Sequence, residues 1–180
     1  MKVINSKISD VKIIHPRIFS DFRGFFFETF TKKRYKEMLN IDLDFVQDNY
    51  SRSSRGVLRG LHFQKTNPQG KLVRVVRGAV FDVVVDIRLG SSTYGIWEGG
   101  ILSEENKIQF WIPPGLAHGF IVLSPLADFE YKCTDYYQPA YEDCLLWNDP
   151  EVGVNWPSYI NNPILSEKDK RGKLLKEIHP

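Results

Sequence analysis

The chain has 180 residues, room for one ordinary domain, and its 42% hydrophobic and 26% charged content lies in the normal globular range. A formal net charge of +2 is too small to argue for a nucleic acid or a membrane surface. No apolar run approaches the roughly 18 residues that span a bilayer, the opening MKVINSKISD lacks the apolar centre of a secretion signal, and the two cysteines, Cys133 and Cys144, have no metal-type spacing, so a reduced, cytoplasmic protein is expected.

Along the chain, TKKRYKEMLN (Thr31 to Asn40) predicts a short helix with Thr31 as N-cap. VLRGLHFQ (Val57 to Gln64) has the apolar content of a buried strand, yet carries Arg59 and His62. Lys71 to Arg77 is a further strand. In FDVVVDIR (Phe81 to Arg88), Phe81, Val83, Val85 and Ile87 share one face, with Asp82 and Asp86 on the other. Strands are also expected at Ile108 to Ile112, Gly119 to Leu123 and Asp128 to Thr134. Turn signals separate them at Gly78, Leu89-Gly90-Ser91, Pro113-Pro114-Gly115, Ser124-Pro125 and Gln138-Pro139. Ser166 to Glu177 is a second helix candidate, interrupted by Gly172, in a tail that reads as an appendage from Asn161 onward. Many short strands argue for a β-sandwich or barrel. The 12 Phe, 8 Tyr and 4 Trp suit a large sheet core or a pocket walled by rings.

Between Arg52 and Arg77 lie seven cations, Arg52, Arg55, Arg59, Lys65, Lys71, Arg74 and Arg77, and no acid. Any one of them is as readily a solvated surface charge. The stretch as a whole points to a phosphate or diphosphate ligand, which guanidinium groups match with paired donors. Of the four histidines, His15, His62, His118 and His179, His62 and His118 sit in strand-like contexts beside glycine. Each is either a hydrogen-bonded core histidine or a proton carrier near neutral pH. Alternation puts Phe129, Tyr131 and Cys133 on one face, so Tyr131 is either a packed core ring or an acid facing the interior. IPPGLAHGF (Ile112 to Phe120) has a P-x-G-x-x-H spacing that resembles the second motif of the cupin superfamily. Metal-binding cupins supply clustered histidine and carboxylate ligands. Here His62 stands alone, with Gln64 where a second histidine would be, and no metal is expected.

DFRGFFFETF, FVQDNYSRS, RGVLRGLHFQ, QGKLVRVVRGAVFDVVVDIR, IPPGLAHGF, YKCTDYY and LSEKD follow one another in order. With them the chain resembles the dTDP-4-dehydrorhamnose 3,5-epimerase family almost end to end. The resemblance implies a mainly β, cupin-like jelly-roll barrel with a few short helices. It implies one domain over residues 1–180, with 161–180 appended, in a homodimer whose N-terminal strand crosses to the partner. The implied substrate is a dTDP-4-keto-6-deoxy sugar, whose ketone acidifies C3 and C5, so no cofactor is needed. By the same resemblance His62 is the base, Asp169 its orienting partner, Tyr131 the acid and Lys71 the stabiliser of the enolate oxygen. Arg23, Glu28, Gln47, Asp48, Asn49, Arg59, His118, Glu142 and Lys168 match substrate-contacting positions, and Tyr137 a ring that stacks on thymine. Arg23 and Glu28 are expected to complete the neighbouring subunit's site.

Two local conflicts stand out. Ser166-x-x-Asp169 also reads as a helix capping box. Strict alternation puts Arg59 and His62 on opposite faces, so both reach one ligand only if Gly60 hosts a bulge or bend. Two other functions stay open: an epimerase acting at C3 or C5 alone, and a non-catalytic sugar-nucleotide-binding barrel.

Overall fold

The computed structural model describes residues 1–158, 160 and 162–179. Strands follow in the order β1 (Lys2–Asn5), β2 (Lys12–His15), β3 (Phe19–Asp21) and β4 (Gly24–Phe26), then helix α1 (Lys32–Leu39). After it come β5 (Gln47–Ser54), β6 (Leu58–Gln64), β7 (Lys71–Arg77), β8 (Ala79–Asp86), β9 (Trp97–Ser103), β10 (Gln109–Ile112), β11 (Leu116–Val122), β12 (Leu126–Cys133) and β13 (Glu142–Cys144). Helices α2 (Glu167–Lys170) and α3 (Leu175–Ile178) close the chain. A six-stranded sheet runs β1-β2-β10-β7-β12-β5, and a five-stranded sheet runs β13-β6-β11-β8-β9. β3 and β4 form a separate hairpin. This is the mainly β, cupin-like architecture expected.

The two sheets share an interior core. The larger contributes Val73, Val75, Phe110, Ile112 and Phe129, and the smaller Val80, Val84, Leu116 and Phe120. Burying each such side chain stabilises the fold by about 1.5–3 kcal/mol relative to exposure. The alternation read in β8 holds, but neither face meets water. Val83, Val85 and Ile87 pack outward against Leu145, Val152, Leu175 and Ile178 of the C-terminal part. Asp82 and Asp86 lie on the other face, both wholly buried. On the outside of the larger sheet, Ile14, Leu72 and Trp111 are covered by Tyr35 and Leu39 of α1.

The helix expected over Thr31 to Asn40 is α1, ended by Asn40 in the left-handed conformation (φ 54°). The candidate over Ser166 to Glu177, interrupted at Gly172, is two short helices on either side of that glycine. Between them Lys173 donates to the Cys144 carbonyl and accepts from the Leu146 amide. That bridge needs extended backbone, and Gly172 packs where a Cβ would stand 2.6 Å from the Leu146 Cα. Asn161 and Pro180, within the expected appendage, lie outside the described residues.

β6 carries the feature that positions the site. Against β11 it pairs His62 with His118 and then Arg59 with Phe120, three steps on β6 against two on β11. One extra residue in a strand makes a bulge and reverses the side-chain alternation beyond it. Arg59 and His62 therefore share a face. Gly60 adopts φ +131°, and a Cβ there would lie 2.6 Å from the Gly119 Cα. A Cβ on Gly119 would in turn lie 2.5 Å from the Arg59 carbonyl oxygen. Only two glycines let the strands approach this closely.

Candidate active site

A cavity of about 230 Å³ opens between the sheets, lined by Asn49, Arg59, His62, Lys71, His118 and Tyr131 with the rings of Phe120 and Phe129. Larger concavities, about 480 and 430 Å³, lie along the β3–β4 hairpin and beside α1. Neither holds a histidine. The smaller cavity is where the chemistry-bearing residues converge.

His62 Nε2 lies 2.6 Å from Asp169 Oδ1. Asp169 is 3% exposed, and its Oδ2 accepts from the Ser166 hydroxyl at 2.7 Å. The Asp169 amide donates back to Ser166 Oγ at 3.2 Å. The two readings of Ser166-x-x-Asp169 hold together: Ser166 caps α2, and the aspartate it caps pairs with the imidazole. Burial alone would raise the Asp169 carboxyl, but its bonds to His62 and Ser166 hold it below the ordinary aspartate value.

Lys71 enters from the start of β7. Burial pushes its ammonium below the ordinary lysine value, against the pull of nearby Glu142 and Asp82. Tyr131 enters from β12, and burial pushes its phenol up to about 12. His118 and Asp82 form a second pair, Nε2 to Oδ2 at 2.9 Å. Burial lowers the imidazole and raises the carboxyl, so both are pushed toward their uncharged forms. Asp82 Oδ1 is buried without a partner among the described residues. Asp82 was not anticipated as part of the site; its one signal was an acid within an otherwise apolar strand.

At one end, the exposed Tyr137 donates its hydroxyl to Glu142 Oε2 at 2.6 Å, and Glu142 also pairs with Lys168. Gln47 accepts from the Tyr137 amide and donates to Asn49 Oδ1, both at 2.9 Å. Gln64, in the place of a second cupin histidine, accepts from the Gln138 amide at 2.7 Å and donates to the Asn67 carbonyl at 2.9 Å. It holds the loop that presents Tyr137.

Other expected residues are not brought to the cavity. Asp48 points outward, where Lys132 meets it at 2.9 Å. Arg23 pairs with Asp21 on the exposed hairpin, and Glu28 with Arg34 and Thr31. The run of seven cations is also divided. Arg59, at the rim, and Lys71 line the cavity. Arg52, Lys65 and Arg74 instead pair with Asp128, Asp143 and Glu130, each at 2.6 Å, because neighbouring strands supply the acids that the run itself lacks. Among the described residues one His/Cys/acid group has metal-ligand proximity: His62, Cys144 and Asp169, with ligand atoms within 4.8 Å of one another.

Residues 5–177 match the family model described as dTDP-4-dehydrorhamnose 3,5-epimerase. A dTDP-4-dehydrorhamnose 3,5-epimerase of Pseudomonas aeruginosa is 54% identical over 98% of this chain and 97% of its own. The crystal structure of dTDP-6-deoxy-D-glucose-3,5-epimerase RmlC from Legionella pneumophila, in complex with dTDP-4-keto-L-rhamnose, superposes with a TM-score of 0.95 at 57% identity, covering 98% of this chain and 94% of that one. ChmJ, a 3'-monoepimerase from Streptomyces bikiniensis in complex with dTDP-quinovose, superposes at 0.89 with 35% identity over 95% of this chain and 86% of that one.

Proposed function

The chain belongs to the dTDP-4-dehydrorhamnose 3,5-epimerase family, and on that premise we propose that it converts dTDP-4-dehydro-6-deoxy-D-glucose to dTDP-4-dehydro-L-rhamnose, for dTDP-L-rhamnose biosynthesis. The observation that carries the reading is the convergence of His62, Lys71 and Tyr131 on one cavity, with Asp169 behind the imidazole. The substrate's C4 ketone acidifies the protons on C3 and C5. His62 removes one, and the electron pair moves to the ketone oxygen to give an enolate. The Lys71 ammonium stabilises that oxygen, the role of a positioned cation in a low-dielectric site. Tyr131 returns a proton to the opposite face of the carbon. His62 then loses its extra proton and Tyr131 regains one by exchange with water, and the cycle repeats at the second carbon. Asp169 keeps the imidazole oriented and supports the imidazolium formed in each cycle. The ketone already supplies the activation, so no redox or organic cofactor takes part.

Arg59 clamps the diphosphate at the rim, Tyr137 offers its ring to thymine, and Gln47, Asn49, Glu142, Lys168 and His118 complete the contacts. The chain works as a homodimer in which the N-terminal segment lends Arg23 and Glu28 to the neighbouring site. What supports this is the exposure of the hairpin's Phe22, Phe25 and Phe26, at 98%, 60% and 66%, an apolar surface that water does not favour.

NMR of the turnover in D₂O tests the reaction. Deuterium at both C3 and C5 is the expected result. Deuterium at one carbon supports the second reading, a mono-epimerase, which the likeness to ChmJ keeps in view. Deuterium at neither refutes the enolate mechanism.

A further inference from the structure

We infer that His62, Cys144 and Asp169 form a binding site for a thiophilic divalent cation such as zinc, and that the bound ion inhibits the enzyme by occupying its base. Cys144 lies directly opposite His62 in the β13–β6 register, so both side chains leave the sheet on one side. Asp169 reaches the same point from α2, and one ligand atom from each lies within 4.8 Å of the others. An ion about 2.0–2.3 Å from each of three such ligands needs them about 3.3–3.6 Å apart. Side-chain rotations of about 1 Å close the widest gap and open the 2.6 Å His62–Asp169 contact. Thiolate, imidazole and carboxylate are the donors zinc favours, and three protein ligands leave a fourth position open. Of the three ligands, His62 also lines the cavity.

The proton balance is simple. The Cys144 thiol releases its proton to the buffer, since coordination strips a thiol outright. The proton between His62 and Asp169 passes to the other imidazole nitrogen. The nitrogen that would accept a substrate proton is then already protonated, and the other is bound to the metal. The inhibition rests on the role of His62 as base; the binding does not.

The experiment has two readouts on the full-length enzyme. Cobalt(II) titrated into metal-free protein reports a thiolate ligand by its charge-transfer absorption, without turnover. Zinc titration of the epimerase assay reports inhibition, each variant compared with its own metal-free rate. Wild type should show the band and chelator-reversible inhibition. Cys144→Ser should lose the band and need at least about tenfold more zinc for half-inhibition, the lower end of what lost metal-site partners cost. Cys144→Ala, checked by its melting curve, serves if the serine variant does not fold. His62→Asn, read only by cobalt absorption, should bind cobalt more weakly. The inference is overturned if wild type shows no band, or if the band or the zinc sensitivity survives loss of Cys144. A Cys144-dependent band with undiminished turnover overturns the inhibition, and the D₂O experiment on His62→Ala then shows whether the base assignment fails with it.

Discussion

Asp169 occupies one position for two purposes, and its substitution separates them. Asparagine keeps the shape and the capping geometry but removes the charge that supports an imidazolium. Asp169→Asn should therefore lower kcat by about 10²–10⁴-fold, the range for a lost acid–base partner. Ser166→Ala removes the N-cap and should cost about 1 kcal/mol of stability, with a smaller loss of kcat. Steady-state kinetics and urea unfolding of the two variants distinguish these outcomes. Burial also sets the alkaline behaviour. Lys71 is held below the ordinary lysine value of 10.5, whereas the Tyr131 phenol stays protonated up to about 12. As pH rises, the ammonium is lost first, and the enolate loses its counter-charge. The alkaline limb of kcat should thus fall below pH 10.5. Lys71→Arg should move it upward, while Tyr131→Phe should lower kcat without moving it; a pH–rate profile of each checks this. The candidate base, acid and cation were legible in the sequence as residue types in strand contexts. Asp82, marked only as an acid in an apolar strand, and Cys144 were not, because the partner a side chain meets across a sheet is not written in its own segment.

At the scale of the element, the β6 bulge decides which side chains enter the cavity. A Cβ on Gly60 meets the Gly119 backbone at 2.6 Å, and neither strand can retreat without opening the barrel wall. Gly60→Ala should destabilise the protein by about 1–3 kcal/mol through overpacking and positive-φ strain. It should also lower kcat/KM more than that loss implies, because Arg59 and His62 no longer share one face. Denaturant midpoints together with kcat/KM measure both effects; an active, fully stable variant would refute the role given to the bulge. The sequence posed this conflict, in that alternation put Arg59 and His62 apart with a glycine between them. It could not supply Gly119, the second half of the contact. The interruption of the C-terminal helix candidate at Gly172 has a cause that also lies across the fold. Glycine's low helix propensity marks the break in sequence, and the strand-like hydrogen bonds of Lys173 to Cys144 and Leu146 hold it open.

At the scale of the whole molecule, the proposed subunit exchange makes activity depend on assembly. If each site borrows Arg23 from its neighbour, two inactive variants can rescue one another. His62→Ala and Arg23→Ala, each inactive alone, should recover about a quarter of wild-type activity when their subunits are mixed at random, since half the dimers are then mixed and each carries one intact site. Sedimentation should show a dimer at assay concentration. A fully active monomer, or no recovery on mixing, would contradict the exchange.

By itself the sequence determined the strand-rich class, the alternation along β8 and β12, the helix at Thr31 to Asn40 and the family. Each of these follows from local periodicity, local turn chemistry or contiguous motifs. Tertiary structure alone decided which cations of the run between Arg52 and Arg77 face the cavity and which are neutralised by acids on neighbouring strands. It alone brought Cys144 and Asp169, far from His62 in sequence, onto one imidazole. Charge pairing and metal-ligand distance depend on strand order and register, and those are set by the packing of two sheets around a shared core.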